Sequence, residues 1–378
     1  AEELHSMKSR IFLESTGIYH FPLFCYLTES GFEVAIINPL ITNSISNYGI
    51  RKVKNDKVDS LIIALLGLNP NLKISVIPTG FVLELRSLVR KYYEVVDTKS
   101  ANINRLKQYL RTVFPQYLSV FSNITGVSSL MILKHYPTPN KILRAHRKTL
   151  IQKLMKASKK GVTKSTEKYE SLVAAAIDAN TFGVFIDSIY FNISITIDVI
   201  KLLDKQKSAL LARMHNLVNL NKKELFVKQI QNLKSIPGVG FLSAVTIMCE
   251  IGDFNSFSKP KQLLAYFGLD PTVKQSGNFT GTKNHISKRG SAFARRALFA
   301  IALSSVRKKR NGQKTNPVLH DFYITKCKSK AKKVALVAVM HKITNIVFAI
   351  LRDHKKFELR TPEQHCNNYQ RLNLLSVA

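Results

Sequence analysis

Residues 271 to 320 hold no Asp and no Glu, yet they carry eleven Lys and Arg. Inside that acid-free stretch lies KQSGNFTGTKNHISKRG, residues 274 to 290, in which Ser276 is followed by Gly277. A hydroxyl in a glycine-punctuated, purely basic setting suits phosphodiester chemistry. Positive charge attracts phosphate, and small residues let a backbone come close. Ser276 is the candidate nucleophile. Lys274, Lys283, His285, Lys288, Arg289, Arg295 and Arg296 are candidates for holding phosphates and for stabilising the charge that develops during transfer. A serine hydroxyl needs activation, and no Ser-His-Asp arrangement is visible in the sequence. Read alone, the block also describes a basic loop whose serine only hydrogen-bonds a phosphate. Ser287 and Ser291 are rival hydroxyls, although Ser291 is better explained as a helix N-cap.

A second constellation is acidic. Asp56 and Asp59 stand at i and i+3, so on a helix both carboxylates project from one face. Glu14 ends a neighbouring strand. Three such carboxylates in a very basic chain are suited to Mg²⁺, a hard cation that takes oxygen ligands and can clamp a scissile phosphate. The competing reading is that first-turn acids only complement the helix dipole. A third element is IPGVG, residues 236 to 240. A Pro-Gly-x-Gly turn before a helix, with Gly238 and Gly240, presents backbone N–H groups to an anion. It looks like the hairpin of a helix-hairpin-helix; the plainer reading is a tight turn between core helices. His20, His135, His146 and His215 are scattered singly. Tyr92, Tyr93, Tyr109 and Tyr117 are of a type that stacks on bases, with helical packing as the more ordinary role.

The elements that must position these groups follow from periodicity. RIFLE reads as a short strand ending on Glu14, IYHFPLFCYLTESG as a helix ending at Gly31, and FEVAIINP as a buried strand stopped by Pro39. NDKVDSLIIALLGL reads as an amphipathic helix with Asn55 as N-cap. This alternation indicates an α/β layer fold with parallel strands. From about 81 to 113, apolar residues recur mostly at three- and four-residue steps, a long helix, and a second runs from about 190 to 219. An arm, a coiled-coil spacer or an ordinary helical subdomain all fit them. In the last third, FSKPKQLLAYFG is a helix with Ser258 as N-cap and Gly268 at its end. SAFARRALFAIALSSVRKK is a helix capped by Ser291, and a last helix covers roughly 331 to 353.

Composition narrows the partners. Lys and Arg number 57 against 24 acids, a formal net charge of +33 over 378 residues. The default partner of such a chain is nucleic acid, because Lys and Arg release counterions from the phosphate backbone. A hydrophobic content of 45% argues for large folded domains over a plain nucleic-acid-coating protein. The four cysteines form no CxxC pair, which points away from zinc and disulfides and towards a reducing cytoplasm. No secretory signal is visible at the start. Apolar runs such as VALVAVM, 334 to 340, fall short of the ~20 residues of a membrane span, so no membrane partner is expected.

Taken in order, ESTG, INP, IRKVKNDKVD, long helices, IPGVG, LLAYFGLDPTVKQSG, ISKRG and RRAL resemble one family. It is the bacterial insertion-sequence transposases that pair a DEDD, RuvC-like N-terminal domain with a serine-bearing C-terminal transposase domain, the bridge-RNA-guided recombinases. The resemblance covers nearly the whole chain. It implies three parts: a ribonuclease-H-like domain over 1–125, a helical or coiled-coil arm over 126–225, and a mostly helical serine domain with a helix-hairpin-helix-like element over 226–378. Glu14, Asp56 and Asp59 match the second, third and fourth acids of the DEDD set, with Mg²⁺ implied as cofactor. Ser276 matches the catalytic serine. The implied reaction is strand cleavage through a phosphoserine–DNA link, followed by strand exchange. Implied partners are donor and target duplex DNA, a structured bridge RNA, and further copies in a homodimer or homotetramer. A bacterial cytoplasm, close to the nucleoid, is the implied location. The family's first Asp and its first strands have no counterpart here, since the thirteen residues before Glu14 contain no Asp. Relative to the family the chain is N-terminally truncated, so impaired metal binding and activity are expected. A nucleic-acid-binding relic and a metal-dependent junction-resolving nuclease are the alternatives.

Overall fold

The computed structural model describes residues 10–15, 19–37, 42, 56–69, 80–182, 185–272, 275–276, 279–280 and 285–367. The chain divides into two compact units, residues 1–86 with 229–378, and residues 87–228.

The first unit opens with the expected alternation. Strand β1 (Arg10–Glu14), helix α1 (His20–Glu29) and strand β2 (Glu33–Ile37) form a crossover unit. The strands pair in parallel, with Arg10 opposite Glu33 and Glu14 opposite Ile37. A parallel pair needs a crossover, and α1 supplies it. Ala35, Ile36 and Ile37 are buried on β2. Gly31, at φ 84°, ends α1; its N–H and that of Phe32 return to the carbonyls of Thr28 and Leu27, the glycine-closed helix end. Helix α2 (Asp56–Gly67) packs on β1. A Cβ on Gly67 would stand 2.3 Å from the Phe12 ring, so glycine is what lets this helix close on the strand. The α/β reading therefore holds for these residues on a small scale. This parallel sheet has two strands among the described residues, which are mostly helical. Asn55, expected to cap α2, lies outside the described residues.

Helix α3 (Phe81–Val113) has the bounds its periodicity indicates. From residue 87 it belongs to the second unit, which continues through α4 (Tyr117–Val120), α5 (Val127–His135), α6 (Pro139–Leu143), α7 (Arg147–Ser158), α8 (Val162–Phe182) and α9 (Asp187–Leu220). These helices share one core that includes Leu106, Leu110, Phe114, Tyr117, Leu133, Leu150, Leu172, Ile193 and Ile197. The Tyr117 hydroxyl is buried and donates to the Ser129 carbonyl at 2.8 Å, which meets the polar requirement of a buried phenol. Lys99 bonds Asp204 at 2.5 Å and Lys134 bonds Asp198 at 2.6 Å, tying α3 and α5 to α9. Tyr93 is buried as well, and Tyr109 packs against the shared core.

The first unit resumes at residue 229 within α10 (Leu225–Lys234) and goes on to hold α11 (Phe241–Ile251), α12 (Pro260–Tyr266), β3 (Gln275–Ser276), β4 (Phe279–Thr280), α13 (Ala292–Ser305), α14 (Pro317–Cys327) and α15 (Lys332–Asp353). Helix α13 packs between α11 and α15, and α15 also meets α12 and α14. Over its 22 residues α15 is long and apolar enough to cross a membrane, which the short run at 334–340 did not foretell. Its apolar side is spent inside the protein: Leu336, Val339, Ile343, Val347 and Leu351 are all buried. Two element ends also differ from expectation. Lys259, not Ser258, is the N-cap of α12; the Gln262 side-chain oxygen accepts from both backbone N–H groups, at 2.8 Å from Ser258 and 3.2 Å from Lys259. Helix α13 stops at Ser305 and does not run on through Arg307–Lys309, because the Ser305 carbonyl receives the Asn316 N–H at 3.1 Å and the chain turns into a hairpin. The Ser291 cap is as expected, accepting from Ala294 N–H at 3.1 Å.

Candidate functional site

The serine block is a loop with a built stem. Its lower strands are residues 268–272 and 285–288. Pro271 and Ile286 form an antiparallel bridge. Thr272 donates to the His285 carbonyl from its N–H at 2.7 Å and from its hydroxyl at 3.0 Å. Ser287 N–H donates to the Asp270 carbonyl at 2.8 Å, and the Ser287 hydroxyl donates to Asp270 Oδ1 at 2.5 Å. A hydrogen bond to a carboxylate is about twice as strong as one between neutral groups, so the pair is a firm closure. Lys288 N–H reaches the Gly268 carbonyl at 3.0 Å. Lys288 itself sits at φ 56°, a conformation that is uncommon for a residue with a side chain.

The stem is seated on the helical core by tight contacts. A Cβ on Gly290 would lie 2.0 Å from the Tyr266 carbonyl oxygen, and one on Gly268, at φ +66°, would lie 2.7 Å from Arg289 N. Arg295 Nη1 donates to the carbonyls of Phe267 at 3.1 Å and Gly290 at 2.7 Å. This guanidinium holds the two ends of the loop together, and burial pulls its pKa below the ordinary value. From α15, His341 Nε2 meets the Leu269 carbonyl at 2.9 Å. Sequence reasoning singled out Arg295, but it did not find Asp270, Thr272 or His341. Asp270-Pro271 is a turn signal that marks the loop's start; nothing marks His341, which is 72 residues away.

Above the stem the backbone forms a short hairpin. Ser276 pairs with Phe279 and Gln275 with Thr280, which places Ser276 at the closing end of β3. Lys274, Gly277 and Lys283 lie outside the described residues. His285, Lys288 and Arg289 are exposed on the returning strand, and Arg296 is half-buried in the first turn of α13.

The carboxylates occupy the α/β corner. Glu14 is the last residue of β1, and its carboxylate accepts from the Thr42 hydroxyl at 2.5 Å. Asp56 and Asp59 sit in the first turn of α2, where they complement the positive helix end. Among the described residues no three Asp, Glu, His or Cys side chains gather into a group able to hold a metal ion.

The IPGVG turn does open a helix. Gly240 is the N-cap of α11, and its carbonyl receives the Ala244 N–H at 3.0 Å. Gly238 has φ +106°, and a Cβ there would stand 2.3 Å from the Ser305 hydroxyl. That hydroxyl donates to the Pro237 carbonyl at 3.0 Å. Gly238 thus serves the packing of the turn on the end of α13, while Gly240 faces open space.

Comparison with known proteins adds a lineage to this geometry. Residues 230–323 match the family described as transposase IS116/IS110/IS902, and residues 2–115 match a transposase family named for the DEDD domain of IS110. A 43.6 kDa protein of insertion element IS110 from Streptomyces coelicolor is 22% identical over 342 residues, covering 88% of this chain and 79% of that protein. The pilin gene-inverting protein of Moraxella bovis is 32% identical over 134 residues, 35% of this chain and 39% of its own. The transposase of IS1111A from Coxiella burnetii is 32% identical over 121 residues, 32% of either chain.

Proposed function

The chain belongs to the IS110/IS116/IS902 transposases and carries their DEDD domain, and from that premise we propose that it cuts and rejoins DNA with Ser276 as nucleophile. A transposase is a DNA recombination enzyme; the particular chemistry is inferred from the serine block. The Ser276 oxygen attacks a backbone phosphorus and loses its proton to an acceptor. The bond to one sugar oxygen breaks, and that oxygen leaves as a strand-end hydroxyl. The other strand end is held as a phosphoserine ester. A hydroxyl from an exchanged strand then attacks the ester, frees the serine and seals the new backbone. No net oxidation or hydrolysis occurs, so the phosphodiester energy is retained.

The observation that carries this reading is the stem. Asp270–Ser287, Thr272–His285 and Arg295 fix both ends of the loop, so the Ser276 hairpin stands on a rigid base. Preorganisation of that kind is what nucleophilic transfer needs. Lys288 and Arg289, exposed on the returning strand, are the cations this reading assigns to the negative charge that the phosphate oxygens gain. A relative named for inverting a gene is consistent with a reaction in which both ends are rejoined. We keep Glu14, Asp56 and Asp59 as the acids of the DEDD set, and the DEDD match suggests dependence on a divalent metal. As they stand in this structure the three do not fit a metal-holding group, so no step is routed through one. Duplex DNA is the substrate; a guide RNA and a dimer or tetramer that shares active sites complete the reading, supported by the +33 charge and the family likeness.

The test is adduct trapping on a nicked or suicide duplex carrying the element's ends. Wild type should give a protein–DNA species that survives denaturation, and Ser276→Ala should give none. An adduct of undiminished yield from Ser276→Ala would remove the nucleophile assignment.

A further inference from the structure

Between α13 and α14 the chain reads RKKRNGQK, residues 307–314. It forms a tight antiparallel ribbon. Lys308 and Lys314 are bridge partners. Thr315 N–H donates to the Arg307 carbonyl at 3.0 Å, Lys309 N–H to the Gln313 carbonyl at 2.8 Å, and Gly312 N–H to the Lys309 carbonyl at 2.9 Å. Gly312 at φ 80° turns the tip, and the Asn311 side chain accepts from Gln313 N–H at 3.2 Å.

Both feet of the ribbon are anchored. At one, His320 Nδ1 contacts the Val306 carbonyl at 2.6 Å. At the other, buried Asn316 caps α14 through Leu319 N–H at 3.2 Å and donates its own N–H to Ser305. That N–H goes to the Ser305 carbonyl, while the Ser305 hydroxyl donates to the Pro237 carbonyl, so the ribbon grows from the spot where the IPGVG turn packs.

The two faces of the ribbon differ in charge. Side chains alternate along a strand. Lys314 pairs with Asp321, and this bond, with help from nearby Lys308, holds the Asp321 carboxyl below its ordinary pKa. The face bearing Lys308 and Lys314 is therefore turned towards a carboxylate. The opposite face carries Arg307 and Lys309, and Lys309 reaches its cross-strand neighbour Gln313 at 3.2 Å, as alternation requires. Arg310 stands at the tip. Residues 307–313 are all exposed, and among the described residues Arg307, Lys309 and Arg310 have no acidic partner. Two cations two residues apart on a strand are spaced by about 6.6 Å, close to the step between successive phosphates of a nucleic-acid strand.

We propose that this ribbon is a second DNA-contact site, in which Arg307, Lys309 and Arg310 hold the phosphate backbone of a duplex outside the serine loop. It deepens the reading of the chain as a DNA-recombining enzyme and rests on it for the identity of the partner. A solvated charged turn has no need of a ribbon anchored at both feet. A backbone-gripping element does, because cations held in place lose less freedom on binding than cations on a floppy loop.

The test measures binding without chemistry, in a Ser276→Ala background, so that failure of the nucleophile assignment cannot mask it. Affinity for a 30-base-pair duplex is followed by fluorescence anisotropy over a range of KCl. Each phosphate contact contributes about 0.9 to the slope of log affinity against log salt. The combined variant R307Q/K309Q/R310Q should therefore flatten the slope by about 2 to 3, with an unchanged melting curve. R307K/R310K should keep the slope, since charge is retained. Neutralising Lys328, Lys330 and Lys332, three exposed cations elsewhere, should change it by less than one. A slope unaltered by the ribbon variant, an equal loss from the control triple, or a loss seen only with duplex RNA or anionic vesicles would overturn the proposal.

Discussion

The Ser287 hydroxyl donates to the Asp270 carboxylate at 2.5 Å, across the neck of the loop that carries Ser276. The two residues lie 17 positions apart, and this bond and the Thr272–His285 pair beside it close the neck of the loop. Removing the carboxylate should leave the helical core untouched and loosen the loop. Asp270→Asn and Ser287→Ala are each expected to slow adduct formation by about 10- to 100-fold, the range in which misplacement acts on rate. Stability should fall by about 1.5 to 3 kcal/mol, as for a single charged hydrogen bond. In the double variant the losses should not add, because both break one contact. Full additivity in a double-mutant cycle would show that the pair does not act as a unit.

Glycines at the seat of the loop give a sharper stability contrast. A Cβ at Gly290 has the Tyr266 carbonyl 2.0 Å away, and one at Gly238 has φ +106° and the Ser305 hydroxyl at 2.3 Å. Backbone must shift to admit the first. Gly290→Ala and Gly238→Ala should each cost at least about 2 kcal/mol, the level reached by forced strain. Gly161 has nothing within 4 Å of its Cβ position, so Gly161→Ala should stay within about 0.5 kcal/mol, as surface changes do. Urea midpoints of the three variants check the order.

These contacts also show what the sequence disclosed and what it withheld. Helix α3 was legible along nearly its whole length, because its apolar steps persist over 33 positions and no single tertiary contact overrides such a signal. The Ser291 cap was legible because capping is local. The end of α13 was not: SSVRKK continues a good helical pattern, and the helix stops only because Ser305 is engaged by Pro237 and Asn316, partners far away in sequence. Ser276 could be singled out from composition, since charge and glycine spacing lie within a few residues. The Asp270–Ser287 and His341–Leu269 contacts could not, because they exist only once the loop is closed on α15. The carboxylates were readable as types at a spacing, but spacing does not determine whether they converge, and among the described residues they do not gather into a group able to hold a metal ion.

The buried phenol of Tyr117 predicts an alkaline limit for the second unit. Burial drives its pKa far above the usual tyrosine range, opposed in part by the Ser129 hydrogen bond. The folded state thus favours the neutral hydroxyl, and the unfolded chain ionises near 10. Stability from this group is complete below that value and is lost as pH rises beyond it. Chemical denaturation at rising pH should show a decline beginning near pH 10, and Tyr117→Phe should lessen the decline. Tyr117→Phe should also cost about 1 kcal/mol at neutral pH, the net worth of one hydrogen bond. An unchanged alkaline profile in the variant would assign the loss to other groups.

Asp56 and Asp59 permit the cleanest separation of a catalytic from a structural role. Both stand in the first turn of α2, where a purely electrostatic service to the helix end is worth about 0.3 to 1 kcal/mol each. If that were their whole contribution, the double variant D56N/D59N would melt slightly earlier and cleave DNA as before. If they are acids of the DEDD set, the loss should appear in the reaction and barely in the fold. We expect adduct formation to drop by more than about 100-fold, equivalent to roughly 3 kcal/mol or more of barrier, while stability falls by no more than about 2 kcal/mol. On the same reading Glu14 is the third acid; its carboxylate is engaged by Thr42, so Thr42→Val should alter its environment without removing it, and should slow adduct formation less than D56N/D59N does. Cleavage by D56N/D59N within threefold of wild type would confine the two aspartates to the helix end and leave the serine loop to act without them.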